Sequence, residues 1–136
     1  MEKNYDLIII GGGPAGSAAG VYAARKRIKT AIIAEEFGGQ SSVSVDVQNF
    51  IGIPHVNGAE LGKMFKDHLK EYADDVLGIV EGDRVTELNE KDGGGFEIKT
   101  KKGETYQTRA VLVASGSRRR KLPVEGAERL DGNAVV

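Results

Sequence analysis

A chain of 136 residues, 40% hydrophobic, with 19 basic and 20 acidic side chains and a net charge of -1, is long enough for one domain with its own core and presents no basic field for a polyanion such as nucleic acid. It has no cysteine, which excludes disulfides, thiolate metal sites and thiol catalysis within these residues, and its two histidines, His55 and His68, are too few and too isolated to suggest a metal centre. No stretch approaches the ~18 apolar residues of a membrane span, and the opening "MEKNYD" lacks the apolar core of a signal peptide, so a cytoplasmic protein is expected.

In chain order, "YDLIII" (5–10) is an apolar run closed by glycines and reads as a strand buried on both faces. A helix follows over about 14–26, with Pro14 in its first turn and Arg25, Lys26 and Arg27 at its C-terminal end, where cations complement the helix dipole. "IKTAIIA" (28–34) makes a second strand and completes a βαβ unit. From Glu35 to Gly58 no period is sustained, and so long a loop in a compact domain reads as functional. "AELGKMFKDHLKEYA" (59–73) aligns Leu61, Met64, Phe65, Leu69 and Tyr72 on one stripe, as expected of an amphipathic covering helix, with His68 a structural histidine beside it. After "VLGIVEG" the period changes to two. "RVTEL", "FEIKT" and "TYQTRA", separated by the turns "NEKDGGG" and "KKG", read as an antiparallel meander. "AVLVASG" (110–116) returns to a continuous apolar run and suits a central parallel strand. The remainder, 118–136, has Pro and Gly punctuation and reads as a linker or hinge after a domain over 1–117, and the basic run Arg118–Lys121 reads as a solvated edge.

The chemistry is concentrated at the first turn. Gly11, Gly13 and Gly16 fill a G-x-G-x-x-G pattern that follows a strand and opens a helix, and Glu35 lies 19 residues after Gly16 at the end of the next strand. Gly11 permits the tight turn, Gly13 lets backbone approach a phosphate, and Gly16 lets the helix lie close to the strands. Amides at the helix start, behind Pro14 and around Ala15 and Gly16, point at a pyrophosphate. The Glu35 carboxylate, with Glu36 beside it, suits both ribose hydroxyls of an adenosine and repels a 2′-phosphate, which disfavours NADP at this site. A plain turn with a solvated acid is the alternative, and the strand, helix and acid together weigh against it. FAD and NAD share the adenosine diphosphate, so the motif leaves that choice open.

"GGGPAGSAAGVYAAR", "FGGQ", "VQNFIGIP" and "VLVASG", in this order and spacing, resemble the FAD domain of bacterial thioredoxin reductases and of the flavoprotein subunit of alkyl hydroperoxide reductase, over nearly the whole chain. The resemblance implies a Rossmann-like α/β fold, a parallel sheet with flanking helices and a small antiparallel β-meander, with FAD as cofactor. It carries over a "GGQ" loop beneath the adenosine and ribityl part of FAD onto Gly38, Gly39 and Gln40, and an Asn approaching the isoalloxazine onto Asn49. Gln40 and Asn49 would offer neutral donors and acceptors there. A Thr of relatives near the flavin corresponds to Ser44, the acid before the Asn is here Gln48, Val85 corresponds to backbone bracketing the adenine, and Ala114, Ser115 and Gly116 stand for an "ATG" turn beside the cofactor.

The same resemblance implies that in relatives a NADPH-binding domain with a C-x-x-C pair follows, and that this chain stops just before it. These 136 residues are therefore expected to hold FAD without catalysing disulfide reduction alone, and no residue stands out as a general acid, base or nucleophile. In full-length form a NADPH-binding domain or a redox partner protein is expected, with electrons passing from NAD(P)H to FAD to a disulfide, and a homodimer as is common among relatives. Two alternatives are the FAD module of a cysteine-free ferredoxin or flavodoxin NADP reductase, and a non-catalytic adenosine-nucleotide-binding module.

Overall fold

The structure is a computed structural model that describes residues 3–73, 75–118 and 123–126. Six strands, β1 (Asn4–Gly12), β2 (Thr30–Phe37), β3 (Leu77–Glu81), β4 (Val85–Glu90), β5 (Phe96–Thr100) and β6 (Thr105–Val113), form one mixed sheet in the order β3-β2-β1-β6-β5-β4. Among the described residues, helices α1 (Pro14–Arg25) and α2 (Gly58–Lys70) complete the regular elements, with a short 3-10 turn at Gly39–Val43. No described helix is long and apolar enough to cross a membrane.

The unbroken apolar run of β1 has a simple cause. Successive strand side chains alternate faces, and both faces of β1 are covered: Ile9 packs with Ile32, Val21 and Ala24 of α1 and Leu69 of α2, while Ile8 packs with Ala31, Ile33, Ile98 and Tyr106. Ile8, Ile9 and Ile32 are all fully buried. Helices thus lie against one face of the parallel strands, and side chains from the antiparallel strands fill the other.

Several boundaries differ from the sequence reading. β2 begins two residues later than expected and runs three residues further, because α1 ends in a Schellman-type turn: Arg27 takes φ 61, its amide reaches Ala24 O at 2.9 Å, and the Ile28 amide reaches Ala23 O at 3.1 Å. Ile28 and Lys29 are spent in that turn, and Arg27 is tied to Asp75 by an ion pair. α2 stops at Lys70, three residues short of expectation, and Met64 on its apolar stripe is 45% exposed, with the buried positions going to Leu61, Gly62 and Leu69. "LGIVE", which the sequence reading passed over, is β3 and pairs parallel with β2 from Thr30↔Leu77 to Ala34↔Glu81.

The expected meander strand "TYQTRA" and the expected parallel strand "AVLVASG" are one strand. β6 pairs antiparallel with β5 from Lys99↔Thr105 to Phe96↔Thr108, and parallel with β1 from Asn4↔Gln107 to Ile10↔Val113. Arg109 divides the two runs in sequence but not in structure, since its exposed side chain meets Asp6 on β1 at 3.3 Å and the backbone continues. The meander is therefore continuous with the parallel sheet.

Between β3 and β4, Asp83 is 3% exposed. Its carboxylate accepts the amides of Arg84 at 2.8 Å and Lys102 at 3.2 Å, which pins the β3–β4 link to the β5–β6 turn. Burial pushes this carboxyl up, but hydrogen bonds from the Thr100 hydroxyl and those two amides, with the Lys102 charge, prevail and leave it below the usual carboxylate value. A lowered folded value means that its stabilisation is complete above the ordinary Asp value of about 3.9 and is lost as pH falls through the folded value. Asp83→Ala strands both amides and is expected to cost about 2 kcal/mol at pH 7. Denaturant unfolding at pH 7 and near pH 3 should show the gap between wild type and variant narrowing in acid.

Candidate functional site

β1, β2 and β6 run parallel, and their carboxyl ends carry the glycine turn, Glu35 and the 114–116 turn, where open α/β sheets place ligands. A cavity of about 640 Å³ lies at the opposite, amino end of these strands, lined among others by Asn4, Lys29, Gly94 and Arg109, and holds none of the sequence-predicted site residues.

The three fingerprint glycines have distinct surroundings. Gly11 takes φ +115, and a methyl there would lie 2.2 Å from Ala114 O, so the end of β1 sits directly against the turn after β6. The Ala114 amide also bonds Ile10 O at 2.8 Å. A methyl on Gly16 would lie 1.9 Å from Gly11 O, which is why α1 can rest on the end of β1. At Gly13 the backbone is ordinary, φ -74 and ψ -174, and a methyl would find only Gly39 Cα at 3.8 Å. Its missing side chain leaves an opening at the mouth of the helix. The helix end has no side-chain cap and no acid in its first turn; the Ser17 amide bonds Gly13 O at 2.9 Å, and the Ala15 and Gly16 amides ahead of it have no preceding helical carbonyl to bond. An open cradle with uncapped amides fits a pyrophosphate.

The 38–40 segment lies beside this turn. The Gly38 amide bonds Gly12 O at 2.9 Å. Gly38 and Gly39 both have positive φ, and a methyl on Gly39 would come within 3.1 Å of Gly13 Cα. Gln40 is exposed on the 3-10 turn. Glu35 and Glu36 are exposed within β2, two residues before its end, where Glu35 Oε2 accepts from Arg118 Nη2 at 2.6 Å. Ser115 and Gly116 are exposed next to Ala114, and Val85 packs against the cluster of Ile8, Ile33 and Ile98.

Ser44 and Asn49 belong to a different local structure. The expected loop is partly ordered: β2 takes its first residues, the 3-10 turn follows, and a small hairpin is closed by Val47 and Val56, bonded at 2.8 and 3.2 Å. Asp46 fastens its base. The carboxylate accepts Gln48 Nε2 at 2.8 Å and meets His55 Nδ1 at 3.1 Å, and these two partners hold its carboxyl below the usual value. The hairpin leans on α2 through Phe50 and Phe65, whose rings are 5.4 Å apart. Asn49 is exposed on this hairpin, and the Ser44 hydroxyl donates to Asp46 O at 3.1 Å. Ser44 thus closes the 3-10 turn, its carbonyl accepting the Gly58 amide at the start of α2 at 3.0 Å, while Asn49 projects from the hairpin.

Four residues escaped the sequence reading. Gly12 is closed in by Glu36 O at 2.8 Å and by Phe37. Gly58 and Gly62 let α2 approach, since methyls there would meet Ser41 O at 1.8 Å and Gly38 Cα at 3.0 Å. The middle glycine of "GGG", outside the fingerprint pattern, was the available signal for Gly12, and the helix-internal "LGK" for Gly62. Arg118, expected on a solvated edge, is 67% exposed and is also paired with Glu35. The other members of that basic run, Arg119, Arg120 and Lys121, and most of the expected hinge over 118–136 lie outside the described residues.

A family model described as pyridine nucleotide-disulphide oxidoreductase matches residues 5–135. The chain is 35% identical over 135 residues to an alkyl hydroperoxide reductase subunit of Pseudomonas putida, covering 99% of this chain and 26% of that protein. It is 34% identical over 135 residues to an NADH dehydrogenase of Bacillus subtilis (strain 168), again covering 99% of this chain and 26% of the relative. A crystal structure of T. acidophilum thioredoxin reductase matches with a TM-score of 0.83 and 35% identity, over 96% of this chain and 41% of that one. The chain therefore spans about a quarter of the length of these curated relatives.

Proposed function

The chain belongs to the pyridine nucleotide-disulphide oxidoreductase family, and from that premise we propose that it is the FAD-holding module of a thioredoxin-reductase-like flavoprotein that passes electrons from NAD(P)H to a disulfide. The observation that carries this reading is the opening at Gly13 before an uncapped helix end, with Glu35 at the end of the neighbouring strand. Ala15 and Gly16 would give amides to the pyrophosphate, with Gly11 and Pro14 shaping the turn. Glu35 would take the ribose hydroxyls, with Glu36, Gly38, Gly39 and Val85 around the adenosine. Gln40, Ser44, Asn49 and the turn Ala114, Ser115 and Gly116 would face the ribityl and ring end. Bound FAD supplies the two-electron chemistry, and these residues bind and orient it.

Since the chain covers so little of its relatives' length, the hydride donor and the electron acceptor belong to the proposal rather than to this domain. A NADPH-binding domain or a redox partner protein would provide them. The same reading takes the protein to be homodimeric, as the resemblance implies, and keeps the cytoplasmic location expected from the sequence.

An absorption spectrum of protein purified without added cofactor, followed by titration with FAD, tests the reading. Flavin bands that co-purify, or a saturable change in the FAD spectrum, are expected. A colourless protein that leaves the FAD spectrum unchanged would overturn it, and one that binds ADP but not FAD would mark a nucleotide module without flavin chemistry.

A further inference from the structure

Arg118 is the fifth residue after the end of β6, yet its Nη2 lies 2.6 Å from Glu35 Oε2. Glu35 is the acid whose carboxylate suits a vicinal diol. A ribose that presents both hydroxyls draws on both carboxylate oxygens, and a guanidinium that already donates a charge-assisted bond to Oε2 competes for that oxygen. The pair is open to water, with side-chain exposures of 67% for Arg118 and 35% for Glu35, so the competitor is displaceable rather than locked. We propose that Arg118 is a gate on the ribose acid: the chain's own cation is held on Glu35, and an adenosine diphosphate must displace it to bind.

The proposal rests on the reading of the glycine crevice as an adenosine diphosphate site. It adds a coupling that the reading alone does not contain. Because Arg118 lies on the segment leaving β6, a ligand that releases it from Glu35 also frees the start of that segment, and linkage requires that anything drawing Arg118 away tightens the site by the same factor. The competition is electrostatic and at the surface, so it weakens as salt rises.

The test uses the whole chain and ADP as probe, with calorimetry for affinity and the Arg118 Nε–Hε signal by NMR, assigned through its loss in Arg118→Gln. Arg118→Gln is expected to bind ADP two- to fivefold more tightly than wild type at low salt, the difference narrowing at 0.5 M salt. Glu35→Gln should weaken binding and abolish any effect of Arg118→Gln. In wild type the Arg118 signal should move, on saturation with ADP, to the position it holds in ligand-free Glu35→Gln. If Arg118→Gln binds ADP equally or more weakly while wild type binds it, or if the Arg118 signal ignores both ADP and Glu35→Gln, the gate is wrong and the site reading stands. If wild type binds neither ADP nor FAD, the site reading itself fails and takes the gate with it.

Discussion

Gly16→Ala is expected to lower the unfolding free energy by about 2–3 kcal/mol, although alanine is the better helix former by roughly 1 kcal/mol. The added methyl would stand 1.9 Å from Gly11 O, a backbone atom that cannot rotate away. Gly11 is itself wedged against Ala114 O, and the strand before it is paired on both sides, Ile10 with Ile33 and with Val113. Relief therefore requires α1 to lift off the sheet, disturbing the contacts of Val21 and Ala24 with Ile9 and Ile32. Ordinary overpacking costs about 1–3 kcal/mol, and a backbone collision of this closeness lies at or above the top of that range. Thermal unfolding should show a midpoint lower by roughly 6–10 °C for a domain of this size. A midpoint at or above that of wild type would mean that α1 does not sit where described.

Gly13→Ala, three residues earlier, is expected to do the opposite: leave stability within about 0.5 kcal/mol of wild type and weaken ADP and FAD binding by tenfold or more. Its backbone is ordinary for alanine, and the nearest atom to the new methyl is Gly39 Cα at 3.8 Å. The methyl would instead project into the space in front of the helix amides, where phosphate oxygens are proposed to lie, and a displacement worth about 1.4 kcal/mol already gives the tenfold loss. Calorimetric titration beside a melting curve separates the two quantities. An unchanged affinity would sink the pyrophosphate assignment, whatever happens to stability. These two outcomes together would divide the fingerprint into a packing half and a ligand half.

The parts of this arrangement that were legible in sequence are those set by local pattern. α1 could be placed nearly to the residue because Pro14 and the Arg25–Arg27 cluster mark its ends, and β1 because only a strand covered on both faces carries "LIII". The less legible parts depend on partners distant in sequence. β3 is an ordinary short apolar run whose role is fixed by pairing with β2 about 45 residues earlier. β6 looked like two strands because Arg109 interrupts the pattern, and its continuity is set by Asp6 and the rest of β1. Within the site, the turn glycines and Glu35 were readable from spacing, whereas the Arg118–Glu35 pair joins residues 83 positions apart and leaves no periodic trace. The hairpin carrying Asn49 was hidden for another reason: two bonds between Val47 and Val56, plus the Asp46–His55 clasp, hold it without any repeating apolar pattern.

The position of β1 between β2 and β6 has a consequence for how the molecule is made. Its first neighbour follows within 30 residues, but its second, in the register Asn4↔Gln107 to Ile10↔Val113, is more than 100 residues downstream. At a synthesis rate of about 5–20 residues per second, Ile8 and Ile9 emerge from the ribosome roughly 5–20 seconds before the strand that closes the sheet beside them. During that interval the nascent polypeptide carries an oily, half-paired ribbon, whose open edge is free to pair wrongly until β6 has been made.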